Sequence, residues 1–142
     1  MNELLLLSIK TKYANKIFNG TKVYEFRKKS IGSKNINKKV FIYSSEKDKK
    51  IIGYIIIDKI LEGNIDYILK KTNNVDNEFL KEYFSNSYIC YAFHIKKYKK
   101  LLKEISLEEI RKFDEHFNVP QFYRYIKKDE YLYKILNNNI IN

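Results

Sequence analysis

Cysteine is nearly absent from this chain. Cys90 is the only one in 142 residues, which excludes an internal disulfide and any zinc site built from several cysteines. The two histidines, His94 and His116, have no partner at metal-ligand spacing, so both read as non-catalytic and neither a metal nor a cofactor is expected. No apolar run approaches the roughly 20 residues that span a bilayer. The stretch at 4–7 is too short for a signal core, has no basic flank before it and no small-residue cleavage site after it. These absences point to a soluble cytoplasmic protein. Internal repeats and linkers are also missing. The length suits one core, giving a single domain over 1–142 with its core at about 3–127 and a C-terminal helix and tail at 128–142. Arginine, the usual bidentate phosphate ligand, occurs only at Arg27, Arg111 and Arg124.

Lysine, by contrast, is abundant, and the net charge is +11. A polyanion partner is the first implication. Composition offers a duller cause, because Lys, Asn, Ile and Tyr fill more than half the chain, as an AT-rich genome would dictate. The distribution is more telling than the total. Residues 10–50 hold 13 Lys and Arg against 3 Asp and Glu, whereas residues 51–95 sum to −2 and residues 96–142 to +4. Codon bias does not concentrate charge in one segment, so an anion-facing surface is expected there.

Hydrophobic patterning divides the chain into short elements. Residues 4–9 form an apolar run of strand length. Thr11 then caps a helix over 12–19, with Tyr13, Ala14, Ile17 and Phe18 at helical spacing and Gly20 as the stop. A second strand covers 23–28, and residues 29–38 carry turn formers and read as a mobile loop. A strand at 39–44 and a charged turn at 45–50 lead to the isoleucine-rich strand at 51–61. Gly53 within it marks a bulge or a close backbone approach. Two short helices follow, 64–71 capped by Asn64 and 76–84 capped by Asp76, whose acidic residues read as solvated faces. In the strand at 88–96, Ile89, Tyr91, Phe93 and Ile95 alternate toward a core, with Tyr88, Cys90, Ala92 and His94 opposite. Cys90 reads as a buried structural thiol. Ser106 and Glu109 form a capping box opening a helix to about Phe113. Residues 120–125 are an aromatic, ordered segment, and 129–137 a last helix before a frayed tail. Five or six short strands with inserted helices imply an α+β fold, a compact β-barrel with helical decoration.

The most informative stretch is 20–29, Gly-Thr-Lys-Val-Tyr-Glu-Phe-Arg-Lys-Lys. Charges on a half-buried strand cost energy unless paired or used, and Lys22, Glu25 and Arg27 put three in six residues. Alternation places Glu25 and Arg27 on one face. From the residues alone they are either a structural ion pair at the barrel's edge or one wall of a polar cleft.

Three stretches resemble a known family, the ASCH domains of the PUA-like superfamily, and its compact bacterial members in particular. Residues 6–28 are similar to the family's strand–helix–strand entry with its Gly-x-Lys-x-x-Glu-x-Arg signature. The second likeness is Val-Phe-Ile-Tyr-Ser-Ser at 40–45 with Ile-Ile-Gly-Tyr-Ile-Ile at 51–56. The third is Ile-Ser-Leu-Glu-Glu-Ile at 105–110 with Pro-Gln-Phe-Tyr-Arg-Tyr at 120–125. Thr11 departs from the proline that many relatives carry, harmlessly for helix initiation. The resemblance implies a twisted barrel of about five to six strands with a cleft beside the first helix that receives RNA or a nucleoside. Lys22, Glu25 and Arg27 would line it, with Ser8 and Lys10 close by.

In such a cleft Arg27 would bind phosphate or a base edge. Glu25 would accept from a base amino group or orient Lys22. Lys22 would contact phosphate or, if desolvated, serve in proton transfer. Tyr43, Ser44 and Ser45 end the third strand as possible hydroxyl donors at the mouth. Gln121, Tyr123, Arg124 and Tyr125 mix stacking with hydrogen bonding, as single-stranded nucleic acid sites do; core or lid packing is the competing role. The expected function is binding of RNA, other single-stranded nucleic acid or a modified nucleoside, by a protein expected to be monomeric, with a regulatory role as one option. The alternatives are a small hydrolase, with Lys22 and Glu25 as candidate catalytic groups, and a protein-interaction module. A ribonuclease fits the residues. The resemblance to acetylcytidine amidohydrolases, which use lysine, threonine and glutamate, fits less well. Lys22 matches their lysine, but Glu25 stands where they have threonine, and no glutamate in 62–82 matches the third.

Overall fold

The computed structural model describes residues 3–141. The elements run β1 (Glu3–Lys10), α1 (Thr11–Phe18), β2 (Tyr24–Arg27), β3 (Lys39–Ser45), β4 (Lys50–Gly63), α2 (Ile65–Lys71), α3 (Glu78–Tyr83), β5 (Cys90–Ser106), α4 (Leu107–Phe113), β6 (Tyr123–Lys127) and α5 (Tyr131–Ile141). The six strands form one mixed sheet in the order β2-β5-β4-β3-β1-β6, with β1 parallel to β3 and the other pairs antiparallel. The fold is α+β as expected. The sheet does not close by backbone pairing, however, so β2 and β6 remain edges. Where the barrel stays open, the Arg27 guanidinium on β2 reaches across and donates to the Ser8 carbonyl on β1 at 2.6 Å.

Both faces of the central strands are covered, which explains why residues 4–7 are continuously apolar rather than alternating. Leu5, Leu7 and Ile9 pack with Ala14, Ile17 and Phe18 of α1 and with Ile42, Ile55 and Phe93. Leu6 points the other way, with Phe41, Tyr43 and Ile51, against Ile110 of α4 and Leu132 and Leu136 of α5. A third cluster seats α2 and α3 on β5 through Ile68, Leu69, Leu80, Phe84, Cys90 and Ala92. This corrects the expected alternation in β5. The strand begins at Cys90; Tyr88 and Ile89 precede it and are exposed. Cys90 and Ala92 are buried along with Phe93 and Ile95, because α2 and α3 cover the face that was expected to be open. Burial also pushes the Cys90 thiol above its ordinary pKa.

Other local expectations are corrected by specific contacts. Thr11 is the first helical residue, not the cap. Its hydroxyl donates to the Ser45 carbonyl at 2.5 Å and accepts from the Asp48 amide at 3.1 Å, tying α1 to the β3–β4 turn. Asn77, not Asp76, caps α3, accepting from the Leu80 amide, while Asn64 caps α2 as expected. Within 29–38, Ile31 and Asn35 are buried, and Asn35 donates to the Ile31 carbonyl and the Tyr125 hydroxyl, so this loop is pinned to the core side of β6. The last helix extends beyond 137 to Ile141. The capping box of Ser106 and Glu109 is present in full. At Gly53 the β3–β4 and β4–β5 registers shift, and a Cβ would fall 2.5 Å from the Phe18 ring and against the Lys99 carbonyl, so bulge and close approach coincide. Among the described residues no helix is long and apolar enough to cross a membrane.

Candidate functional site

The turn after α1 shapes the site. Gly20 adopts φ +84°, and the amides of Thr21 and Lys22 both donate to the Lys16 carbonyl at 3.0 Å. A left-handed residue is inexpensive only for glycine, and this one folds the chain back so that β2 runs beside α1. A cleft of about 850 Å³ opens there, a size suited to a small organic ligand or nucleoside. One wall is α1 with Lys12, Tyr13 and Lys16, and the floor is β2 and the turn before it, with Lys22, Glu25 and Arg27. The opposite wall is the α2–α3 segment, with Thr72, Asn74, Asn77, Phe79 and Tyr83. Ser8, Lys10, Ser45 and Gln121 complete the lining.

Glu25 organises the floor. Its carboxylate, 7% exposed, accepts from Arg27 Nε at 2.7 Å and lies 3.5 Å from Lys22 Nζ. Arg27, 18% exposed, also stacks its guanidinium 5.0 Å from the Phe122 ring centre. Lys22, 16% exposed, donates to the Tyr24 carbonyl at 2.5 Å and sits 5.0 Å from the Phe26 ring and 5.7 Å from Tyr13. Burial lowers the Lys22 pKa below its ordinary value; the Glu25 carboxylate opposes that shift and the Arg27 charge adds to it. A buried ammonium held among a carboxylate, a carbonyl and aromatic faces is well satisfied, so the pair reading and the cleft reading describe the same residues.

The mouth has a different character. Lys10, Lys12 and Lys16 are exposed, as is Phe79, which lies 6.0 Å from Tyr13 on the other wall. Tyr83 is 6.4 Å from Phe79 with parallel rings, and Lys28 lies 4.9 Å from the Tyr83 ring. Burial raises the Tyr83 hydroxyl's pKa, with Arg27 opposing. Along the far wall Asn74 donates to the Thr72 carbonyl and hydroxyl, and Asn77 donates to Asn74 Oδ1. The lining therefore combines five cationic side chains, several aromatic rings and amide groups, with Glu25 its sole carboxylate among the described residues. Such a surface can stack planar rings, pair with anions and hydrogen-bond polar edges.

The candidate residues separate into two groups. Ser8, Lys10, Lys22, Glu25, Arg27, Ser45 and Gln121 are brought together at the cleft. Ser8 is buried, and its hydroxyl donates to the Pro120 carbonyl at 2.7 Å, so it braces the entry to β6. Tyr43, Arg124 and Tyr125 lie elsewhere. Tyr43 is 2% exposed inside the second core cluster, because a residue of β3 at this register faces α4 and α5. Arg124 bonds Glu130 at 2.7 Å and stacks on Phe117, fixing the β6–α5 turn. Tyr125 accepts from Asn35 and lies beneath Lys34. Ser44 is also buried, its hydroxyl donating to Asp48 and lying 3.0 Å from the Thr11 hydroxyl. Sequence reasoning missed the α2–α3 wall; the pair Phe79 and Tyr83, four residues apart, was its signal, and it reads equally as core spacing. No group of three His, Cys, Asp or Glu is placed to hold a metal ion among the described residues. His94 instead pairs with Asp58 at 2.6 Å.

Comparison with known proteins bears on the fold and the family. The chain resembles the crystal structure of ASCH from Zymomonas mobilis with a TM-score of 0.80 and 20% identity, covering 94% of this chain and 93% of that one. A mutant form of the same protein matches equally, covering 96% of that chain. The N-terminal domain of Staphylothermus marinus McrB is a more distant likeness, with a TM-score of 0.59 at 13% identity, covering 97% of this chain and 98% of that one. At these identities the likeness concerns the fold. No match was found among curated protein sequences. The sequence profile of the ASCH domain matches residues 7–140, nearly the whole chain, and this protein belongs to the ASCH domain family.

Proposed function

We propose that the protein binds nucleic acid, and that it takes a single-stranded segment, RNA in the first instance, by lodging one unstacked base or nucleoside in the cleft beside α1. The observation that carries this is the lining itself: a cleft of about 850 Å³ bordered by Tyr13 of α1 and by Phe79 and Tyr83 of α3, with Lys10, Lys12 and Lys16 exposed at its rim. Unpaired bases stack on aromatic side chains, and flanking phosphates need cations nearby. Within the floor, Glu25 offers an acceptor to an exocyclic amino group, and Arg27 and Lys22 hold that acceptor in place. The amides of Asn74 and Asn77 supply further edge contacts from the other wall.

The test is fluorescence anisotropy with short single-stranded RNA across a salt series. Affinity should fall steeply, with a slope of about −0.7 in log K against log salt for each phosphate engaged. Changing Lys12 and Lys16 to Ser should flatten that slope by about 1.4 units, while Phe79→Ala should weaken binding without changing the slope. A salt-insensitive affinity would refute the reading.

A second reading, a small hydrolase acting on RNA or a modified nucleoside, is favoured by one observation: the enclosed Lys22 has a lowered pKa beside a carboxylate, which suits proton transfer. The wall opposite presents Thr72, Asn74 and Asn77 rather than a glutamate, which disfavours the acetylcytidine amidohydrolase variant of that idea. Incubation with acetylated nucleosides and with labelled RNA decides it. Turnover that survives both Lys22→Ala and Glu25→Ala would remove this cleft as the catalytic centre.

A further inference from the structure

The charge sum over 96–142 conceals a second basic surface. Residues 96–100, Lys-Lys-Tyr-Lys-Lys, lie in the middle of β5, and all five are exposed. Lys96, Lys97, Lys99 and Lys100 form no ion pair or hydrogen bond through their side chains with any described residue. The nearby carboxylate of Glu104 is already held by Lys50 at 2.7 Å. Tyr98 and Leu102, both exposed, are interleaved with these lysines.

Position in the fold gives this stripe a direction. β2 covers β5 only as far as His94, where the register pairs it with Tyr24, and the last contact is the Ile95 amide donating to the Val23 carbonyl at 2.8 Å. Val23 lines the cleft. Beyond Ile95, β5 has β4 on one side and, among the described residues, no strand on the other until the Lys103 amide is met by Asn139 of α5. The stripe is thus a free edge that starts at the cleft's border. It also wraps the end of α1: the Tyr98 ring meets Phe18 edge-on at 6.0 Å, its hydroxyl lies beside Gly20, and Lys100 shares a hollow of about 260 Å³ with Asn15 and Asn19. Alternation puts Tyr98 and Lys100 on the α1 side and Lys97 and Lys99 on the other, so cations straddle the edge.

We propose that a single-stranded nucleic acid bound in the cleft continues past the end of α1 and runs its phosphates along the β5 edge, with Tyr98 as a stacking platform. This rests on the cleft reading above and extends it from one nucleotide to a strand. Five residues of β-strand span about 16 Å, room for more than one phosphate. Lysines on a free edge also discourage edge-to-edge pairing of sheets. That role needs charge of either sign, whereas phosphate contact needs positive charge.

The experiment uses the full chain, a uridine trimer and a uridine 12-mer, and two variants of equal charge change. In one, Lys96, Lys97, Lys99 and Lys100 become Glu, which keeps the edge charged. In the other, the exposed Lys112, Lys127, Lys128 and Lys134, spread over α4, β6, the β6–α5 turn and α5, become Glu. Wild type should bind the 12-mer more tightly than the trimer and with a steeper salt slope. The edge variant should lose that advantage, at least about tenfold at moderate salt with a slope shallower by up to about 3 units, while holding the trimer and remaining a folded monomer. The control variant should lose far less. Equal losses in the two variants, or equal wild-type affinity for trimer and 12-mer, overturn the track and leave the cleft reading intact. Loss of 12-mer binding confined to the edge variant, with Phe79→Ala binding both oligomers like wild type, keeps β5 as a nucleic acid surface but overturns the cleft as its origin. Binding of neither oligomer by wild type overturns both.

Discussion

Glu25→Gln is the most discriminating single substitution, because one carboxylate balances two enclosed cations. Glutamine keeps the shape and can still accept from Arg27 Nε. It removes the counter-charge for Arg27 at 2.7 Å and Lys22 at 3.5 Å, which are only 18% and 16% exposed. Breaking a fully buried pair from one side costs about 3–5 kcal/mol. Here each cation retains a carbonyl acceptor, Tyr24 for Lys22 and Ser8 for Arg27, and touches some water. Screening reduces the figure to about 2 kcal/mol. For a domain of this size that corresponds to a Tm lowered by about 6 °C. Urea unfolding followed by circular dichroism should give the same loss with an unchanged m-value. Because the Glu25 charge raises the Lys22 pKa against burial, the Lys22 ammonium should also titrate at lower pH in the variant, read from its side-chain NMR shift. A stability change below about 0.5 kcal/mol together with an unmoved Lys22 titration would refute Glu25 as the organising counter-ion.

Three further outcomes follow from local geometry. The folded-state pKa of Lys22 lies below its ordinary value of 10.5, so between the two the unfolded chain binds more protons and stability rises with pH. The stability of wild type minus that of Lys22→Met should therefore climb as pH approaches 10.5, and a flat difference in pH-dependent urea unfolding would contradict the assigned burial. Gly53→Ala should cost about 3 kcal/mol or more, since its Cβ meets the Phe18 ring and the Lys99 backbone; thermal unfolding no different from wild type would show that β4 and β5 can part. Ser106→Ala should cost about 1 kcal/mol by removing the capping box of α4, with Ser106→Thr recovering most of it in the same assay.

Much of the frame is legible in the sequence because local signals and the global fold agree. Gly20 stops α1 and turns the chain, the β-branched run at 51–57 builds β4, and Ser106 with Glu109 opens α4. The floor of the cleft is legible for a related reason: Lys22, Glu25 and Arg27 are costly on a strand and so call for a use or a partner. What eludes the sequence is decided by distant parts of the chain. Tyr43, Arg124 and Tyr125 look like ligand-binding residues in a one-dimensional reading, but Tyr43 on β3 faces α4 and α5 from much later in the chain, Tyr125 is held by Asn35 from much earlier, and Arg124 is taken up by Glu130 and Phe117. Phe79 and Tyr83 look like core spacing because nothing local says that α3 stands opposite α1. The second half of β5, beyond Lys96, carries no alternation that local reasoning could assign, and only its pairing with β4 makes it a strand. Asp76 and Asn77 are both good caps, and one residue of difference lies within the usual uncertainty of helix ends.

The central claim is that nucleic acid enters the cleft between α1 and α3. Amide and side-chain NMR shifts during titration with a single-stranded RNA trimer test it most directly. The expected result is perturbation concentrated in Lys12–Lys16, Lys22–Arg27 and Asn74–Tyr83, with saturation that weakens as salt is raised. Shifts confined to the α4–α5 side, or spread evenly over exposed lysines with no change at Tyr13, Glu25 and Phe79, would contradict it.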